Sequence, residues 1–153
     1  MLDLYQELKA LIRRLDEVRV DYALCGALAL AVYGILRATV DIDLLIPAAS
    51  LEKVKSLSRA LGYMVEAEPM TFARGAIVIR RVSKVDPEGE DLLTLDLLLV
   101  TPKIEDIWKM RQQLIWEGER LSVVSREGLI ALKTLRRSGQ DLDDIKRLQE
   151  GVK

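Results

Sequence analysis

Residues 92–100 read Leu-Leu-Thr-Leu-Asp-Leu-Leu-Leu-Val, apolar on both alternating sets of positions except for one carboxylate near the middle. Such a run suits a central strand covered on both faces, so the chain must build layers on either side of a sheet. With 153 residues, half of them hydrophobic, it has the size of one compact domain with a substantial core. Asp96 constrains that core. An unpaired ionised carboxylate buried there would cost several kcal/mol, so Asp96 is neutral, hydrogen-bonded, ion-paired or metal-bound.

A second acidic strand sharpens the choice. Residues 40–46 read Val-Asp-Ile-Asp-Leu-Leu-Ile and end at Pro47. Residues two apart in a strand share a face at about 6.5 to 7 Å, which puts Asp41 and Asp43 together and Ile42, Leu44 and Ile46 on the other side. Taken alone, the pair fits either a solvated strand edge or a cation site. Asp96 alone fits a buried hydrogen-bonded aspartate. A metal site formed by all three accounts for them together.

The composition removes other chemistries. There is no histidine and only one cysteine, Cys25. Histidine-based triads, His-ligated zinc, an intrachain disulfide and a cysteine zinc site are therefore excluded. Any metal must be held by oxygen, which favours magnesium, manganese or calcium. With 23 basic and 24 acidic residues the net charge is -1, which gives no electrostatic footprint for indiscriminate nucleic-acid or membrane binding. The longest uncharged run, residues 22–36, is interrupted by Gly26 and Gly34 and is shorter than the roughly 18 residues of a membrane span. No basic-then-apolar signal segment opens the sequence. The expectation is a cytoplasmic protein with no membrane partner.

Apolar residues at helical spacing predict a first helix over residues 3–18. A buried strand follows over 20–25, then an alanine-rich helix over 27–33 stopped by Gly34, and the acidic strand 40–46. Ser50 is a candidate N-cap for a helix running to about Leu61. Strands 76–82 and 92–100 flank the turn-rich residues 86–89 and form an antiparallel hairpin. A helix over 103–111, two short strands around residues 117–119, and helices over 126–137 and 141–149 complete the chain. The fold class is mixed α/β (α+β), a single domain over residues 1–153 with a small mixed sheet flanked by helices. Trp108 and Trp116 fit satellite packing or a partner surface, and Cys25 fits the core.

At Gly26 a strand ends and a helix begins, a junction that is either an ordinary tight turn or a phosphate site of exposed backbone N–H groups. The stretch Cys25-Gly26-Ala27-Leu28-Ala29, with Gly34, Arg37, Thr39 and Asp41-Ile42-Asp43, resembles the signature of the polymerase-beta nucleotidyltransferase superfamily. Asp96 matches that signature's third aspartate on a later strand. The chain is most similar to short nucleotidyltransferase-like proteins related to abortive-infection type IV toxins. In those a lysine-bearing helix precedes an Asp-x-x-Asp helix, as Lys133 and residues 141–144 do here. The resemblance covers roughly residues 20–100 and 120–148. Ala27 departs from the pattern where many active members carry serine or glycine: its amide remains, but a phosphate-binding hydroxyl is missing.

The C-terminal helices add charged groups at apolar positions. Lys133 lies between Leu129 and Ile130 on the helical wheel, where its head either snorkels to water, pairs with a carboxylate such as Asp141, or faces a triphosphate. Asp141 falls between Ile145 and Leu148, with Asp143 pointing away; an acid in a first helical turn is also favoured by the helix dipole. Arg37 is either a phosphate contact or a solvated loop residue. The cluster of Lys133, Arg136, Arg137, Lys146 and Arg147 fits a solvated helical face or a nucleic-acid contact.

The resemblance implies transfer of a nucleoside monophosphate from a nucleoside triphosphate to a hydroxyl acceptor. Asp41, Asp43 and Asp96 would hold Mg2+ or Mn2+, Gly26 and Ala27 would offer amides to the phosphates with Arg37 and Thr39 nearby, and Lys133 would offset charge on pyrophosphate. Asp141 would support it. An RNA end, a protein hydroxyl or a small molecule are all open as acceptor, and an antitoxin or toxin is a possible partner. Two rival readings stand beside this one: a non-catalytic interaction module, antitoxin-like or regulatory, and a nucleotidyltransferase acting on tRNA ends.

Overall fold

The computed structural model describes residues 2–36, 38–89, 91–136 and 139–150. Helix α1 spans Leu4–Glu17 and buries Leu8, Leu11, Ile12 and Leu15. Asp3 caps it, accepting hydrogen bonds from the amides of Tyr5 at 3.0 Å and Gln6 at 3.3 Å. Each fully buried leucine in that stripe stabilises the fold by about 1.5–3 kcal/mol. Arg19, at φ 58°, turns the chain into β1, Ala23–Cys25. Helix α2, Gly26–Val32, follows at once.

Strand β2 is Asp41–Pro47. The next helix, α3, is Leu51–Ala60. Ser50, the N-cap expected from sequence, does not cap it through its side chain; a 3-10 turn at Ala48–Ser50 leads in instead. Two short strands that the sequence did not signal come next, β3 at Val65–Glu66 and β4 at Met70–Phe72. The long hairpin is β5, Ile77–Val85, and β6, Leu92–Val100. The helix expected over 103–111 is shorter: a 3-10 turn at Pro102–Ile104 and α4, Glu105–Lys109. The hairpin of β7, Gln112–Trp116, and β8, Glu119–Val123, precedes α5, Arg126–Arg136, and α6, Gly139–Glu150.

The strands form one eight-stranded mixed sheet in the order β3-β5-β6-β2-β1-β8-β7, with β4 pairing on β5. Strand β6 lies in the interior of that order, parallel to β2 and antiparallel to β5. Leu93, Leu95 and Leu97 on one face of β6 and Thr94, Asp96 and Leu98 on the other are all buried, as a strand covered on both faces requires. Helix α2 packs back on β1 and β2, α1 contacts α3 and β2, and α5 contacts α4 and α6. Mixed α/β architecture with a small mixed sheet and flanking helices is thus what the chain adopts. Among the described residues no helix is long and apolar enough to cross a membrane.

Candidate active site

Strand register brings the acidic residues together. Asp43 of β2 is paired with Asp96 of β6, and Asp96 in turn with Arg81 of β5. On the other side of β2, Asp43 is paired with Cys25 of β1. Directly paired residues share a sheet face, so Cys25, Asp43, Asp96 and Arg81 form one row across four strands. Asp41 stands two residues along β2 from Asp43, paired with Thr94.

Gly26 closes the end of this row. Its φ of +69° lies in the left-handed region, and a β-carbon there would stand 2.1 Å from Asp43 Oδ2. Any side chain would collide with that carboxylate, so glycine lets the β1–α2 turn lie directly against Asp43. Among the described residues no side chain caps α2, which leaves its first-turn amides, Ala27 among them, without a side-chain cap there. Ala27 is itself buried.

Asp96 is only 5% exposed, and its charge is met by a bidentate ion pair. Arg81 Nε donates to Oδ1 at 2.7 Å and Nη2 to Oδ2 at 3.0 Å. That charge still acts on the other two aspartates. Burial raises the Asp43 carboxyl to about 7, helped by the charges of Asp96 and Asp41 and opposed by Arg136 and Lys133. Asp41 is raised as well, by burial and then by Asp96, with Arg81 opposing. Burial also pushes the Cys25 thiol well up, with Asp43 and Asp96 adding to the effect. Among the described residues no three His, Cys, Asp or Glu side chains stand as a ready-made metal site. The donors are nevertheless all oxygen, and a hard divalent cation would relieve the repulsion that raises the Asp41 and Asp43 carboxyls. Arg81 takes one acceptor direction from each Asp96 oxygen, and each oxygen retains a second.

Lys133 reaches the same cleft from α5, which is lined among others by Gly26, Asp43, Arg81, Asp96 and Arg136. Its Nζ also forms a 2.8 Å ion pair with Asp144 of α6, whose side chain is wholly buried. Asp144, one turn before the buried Leu148, is a partner the sequence reading passed over in favour of Asp141; the side chain of Asp141 lies outside the described residues. Arg37 lies outside them too. Thr39 uses its hydroxyl locally, accepting a hydrogen bond from the Asp41 amide at 3.1 Å and so fixing the start of β2. Arg81 was also missed. Its signal was present: it follows Ile77 and Ile79 at alternate positions, a charge on a strand face that begins apolar.

The fold is shared with solved nucleotidyltransferases. The lincosamide antibiotic adenylyltransferase LnuA, in its lincomycin-bound form, superposes with a TM-score of 0.64 at 18% identity, over 96% of this chain and 97% of LnuA. ANT(2'')-Ia in complex with adenylyl-2''-tobramycin gives 0.62 at 13% identity, over 97% and 90% of the two chains. An antigenic nucleotidyltransferase-like protein from Paracoccidioides brasiliensis gives 0.57 at 20% identity, over 95% and 74%. No protein-family model matches the chain, and no curated protein sequence matches it.

Proposed function

We propose that the chain is a metal-dependent nucleotidyltransferase of the polymerase-beta type, moving a nucleoside monophosphate from a nucleoside triphosphate to a hydroxyl. The observation that carries this reading is the Gly26 turn lying against Asp43, with Asp96 in register beside it. A phosphate-sized anion at the turn and a cation at the carboxylates would then be immediate neighbours. That two structural neighbours are antibiotic adenylyltransferases by name, or hold an adenylylated antibiotic, favours the same chemistry.

Asp41 and Asp43, with Asp96 as the third carboxylate, would hold Mg2+ or Mn2+. When bound, the cation supplies charge stabilisation to the attacking and leaving oxygens. The amides of Gly26 and Ala27 would bind the β- and γ-phosphates, with Arg37 and Thr39 as further candidate nucleotide contacts. The hydroxyl oxygen forms a bond to the α-phosphorus, the bond from that phosphorus to the bridging oxygen breaks, and pyrophosphate leaves with the electron pair. Asp96, held in one orientation by Arg81, would receive the hydroxyl proton. Lys133 and Arg136 would offset charge on pyrophosphate, with α6, including Asp141 and Asp144, holding α5 in place. Location in the cytoplasm and a toxin or antitoxin partner are part of the same proposal.

A second reading is a non-catalytic interaction module, antitoxin-like or regulatory. Two features favour it: Ala27 lacks a phosphate-binding hydroxyl, and Asp96 and Lys133 already have ion-pair partners within the chain. Calorimetry with each of the four nucleoside triphosphates and magnesium separates the two. Binding that disappears in Asp43→Asn supports the enzyme, and no heat with any nucleotide supports the module. Incubation with α-labelled triphosphates, magnesium and cell extract then shows whether RNA, protein or small molecules carry the label.

A further inference from the structure

The cleft has two unlike walls. Beside the charged row of Asp43, Asp96 and Arg81 runs a second row, displaced by two residues, in which Leu98 of β6 pairs with Ile79 of β5 and Ile79 with Met70 of β4. Next to Met70 on the same short strand, Phe72 is the only phenylalanine in the chain and is 40% exposed. All four of these apolar side chains line the cleft. Arg136 faces Phe72 across it, with Cζ 6.0 Å from the ring. The ring extends the apolar row of Leu98, Ile79 and Met70 to the mouth of the cleft, and a contiguous apolar strip rimmed by charged groups is the surface a ligand groove presents.

Sheet order decides which substrate meets this wall. If the leaving phosphates lie at the β1–α2 turn and the reacting phosphorus at β2, the attacking oxygen must approach roughly in line from the opposite side. That side is β6, then β5, then β4. We infer that the Leu98–Ile79–Met70 row with Phe72 is the acceptor subsite, and that the acceptor is a small molecule whose hydroxyl is carried on an apolar body. This rests on the nucleotidyl-transfer reading. The hydroxyl lies at Asp96 while the body covers the apolar row and reaches Phe72 at the mouth. The recess between the two walls is narrow, about 90 Å³.

The test uses methyl, butyl and hexyl β-glucosides, which share one hydroxylated head and differ only in apolar length. Their affinities are measured by NMR titration in the presence of magnesium and nucleotide, with nucleotide binding followed separately by calorimetry. Hexyl glucoside is expected to bind at least about tenfold more tightly than methyl glucoside. Phe72→Ser is expected to remove most of that difference, Phe72→Leu to keep most of it, and both to bind magnesium nucleotide within twofold of the parent. Equal affinities across the series with nucleotide binding intact overturn the acceptor assignment alone. So does a short RNA with a free 3′ hydroxyl that binds more tightly than hexyl glucoside. If the parent binds no nucleotide, the transfer reading itself fails and the assignment falls with it.

Discussion

The sheet and the C-terminal helices handle buried charge in different ways. On the sheet Asp41, Asp43 and Asp96 crowd around one arginine, and burial with mutual repulsion lifts the carboxyls of Asp41 and Asp43. Between α5 and α6, Lys133 is matched by Asp144 at 2.8 Å in surroundings that exclude water. The helical pair is largely complete as it stands, whereas the sheet cluster holds carboxyls whose mutual repulsion favours their protonated forms and which a bound cation would relieve. The contrast teaches that a charge in an apolar stripe has two physical outcomes, neutralisation within the fold or readiness for a ligand. Lys133 belongs mainly to the first, and Asp41 and Asp43 to the second.

The largest effect is expected on the sheet. Asp43→Asn should lower nucleotidyl transfer about 10²- to 10³-fold, the scale for losing one electrostatic contact to a reacting centre. It should also abolish the rise in melting temperature that millimolar magnesium or manganese gives the parent. A mutant that melts earlier than the parent in chelator, with no metal response in either protein, would return Asp43 to a packing role.

The helical pair is where stability should suffer most. Asp144→Ala leaves the Lys133 ammonium buried without its carboxylate and is expected to cost about 3–5 kcal/mol in denaturant unfolding. Lys133→Met strands Asp144 in the same way, so it should destabilise the fold as well as weaken nucleotide binding. The double variant Lys133→Met/Asp144→Leu, apolar on both sides, should recover much of the loss. If the single variants unfold like the parent, the distinction between the two regions collapses.

Proton linkage sharpens the comparison further. Asp43 titrates in the unfolded chain near 3.8 and in the folded chain at about 7. The folded state therefore holds this proton more tightly. That contribution is fully present below the unfolded value and is lost progressively as pH rises towards 7. In chelator, unfolding free energy should fall across this window by at most a few kcal/mol, since Asp43 keeps some contact with solvent. Asp43→Asn should flatten the fall. A parent curve identical to the mutant's would remove the case for crowded carboxylates.

A smaller change is expected at the turn. Gly26→Ala combines a left-handed φ with a collision against Asp43, and should cost about 1–3 kcal/mol in thermal or denaturant melts. Nucleotide affinity should fall with it, because the turn must retreat from the carboxylate. Unchanged stability together with unchanged affinity would show that the close approach is unimportant.

Some of this was legible in the chain and some was not. Alternation by itself put Asp41 and Asp43 on one face, and unbroken apolarity marked β6 as interior with Asp96 as its anomaly, because side-chain period and burial are local properties of a strand. Helical spacing placed Lys133 in a buried stripe for the same reason. Gly26 was readable as a strand-to-helix stop, though not as the residue whose missing side chain admits Asp43. What the sequence could not settle were pairings between distant segments. The register of Asp43 with Asp96, the arrival of Arg81 on that carboxylate, and the choice of Asp144 for Lys133 all depend on how strands and helices slide past one another. A slip of one residue reverses a strand's faces, and a third of a turn re-aims a helix. Neither β3 nor β4 was visible, since two- and three-residue strands carry too little periodicity and exist by pairing with β5. The chemistry of the residues was therefore written locally, and their meeting was decided by tertiary packing, because only the folded sheet fixes which carboxylate faces which cation.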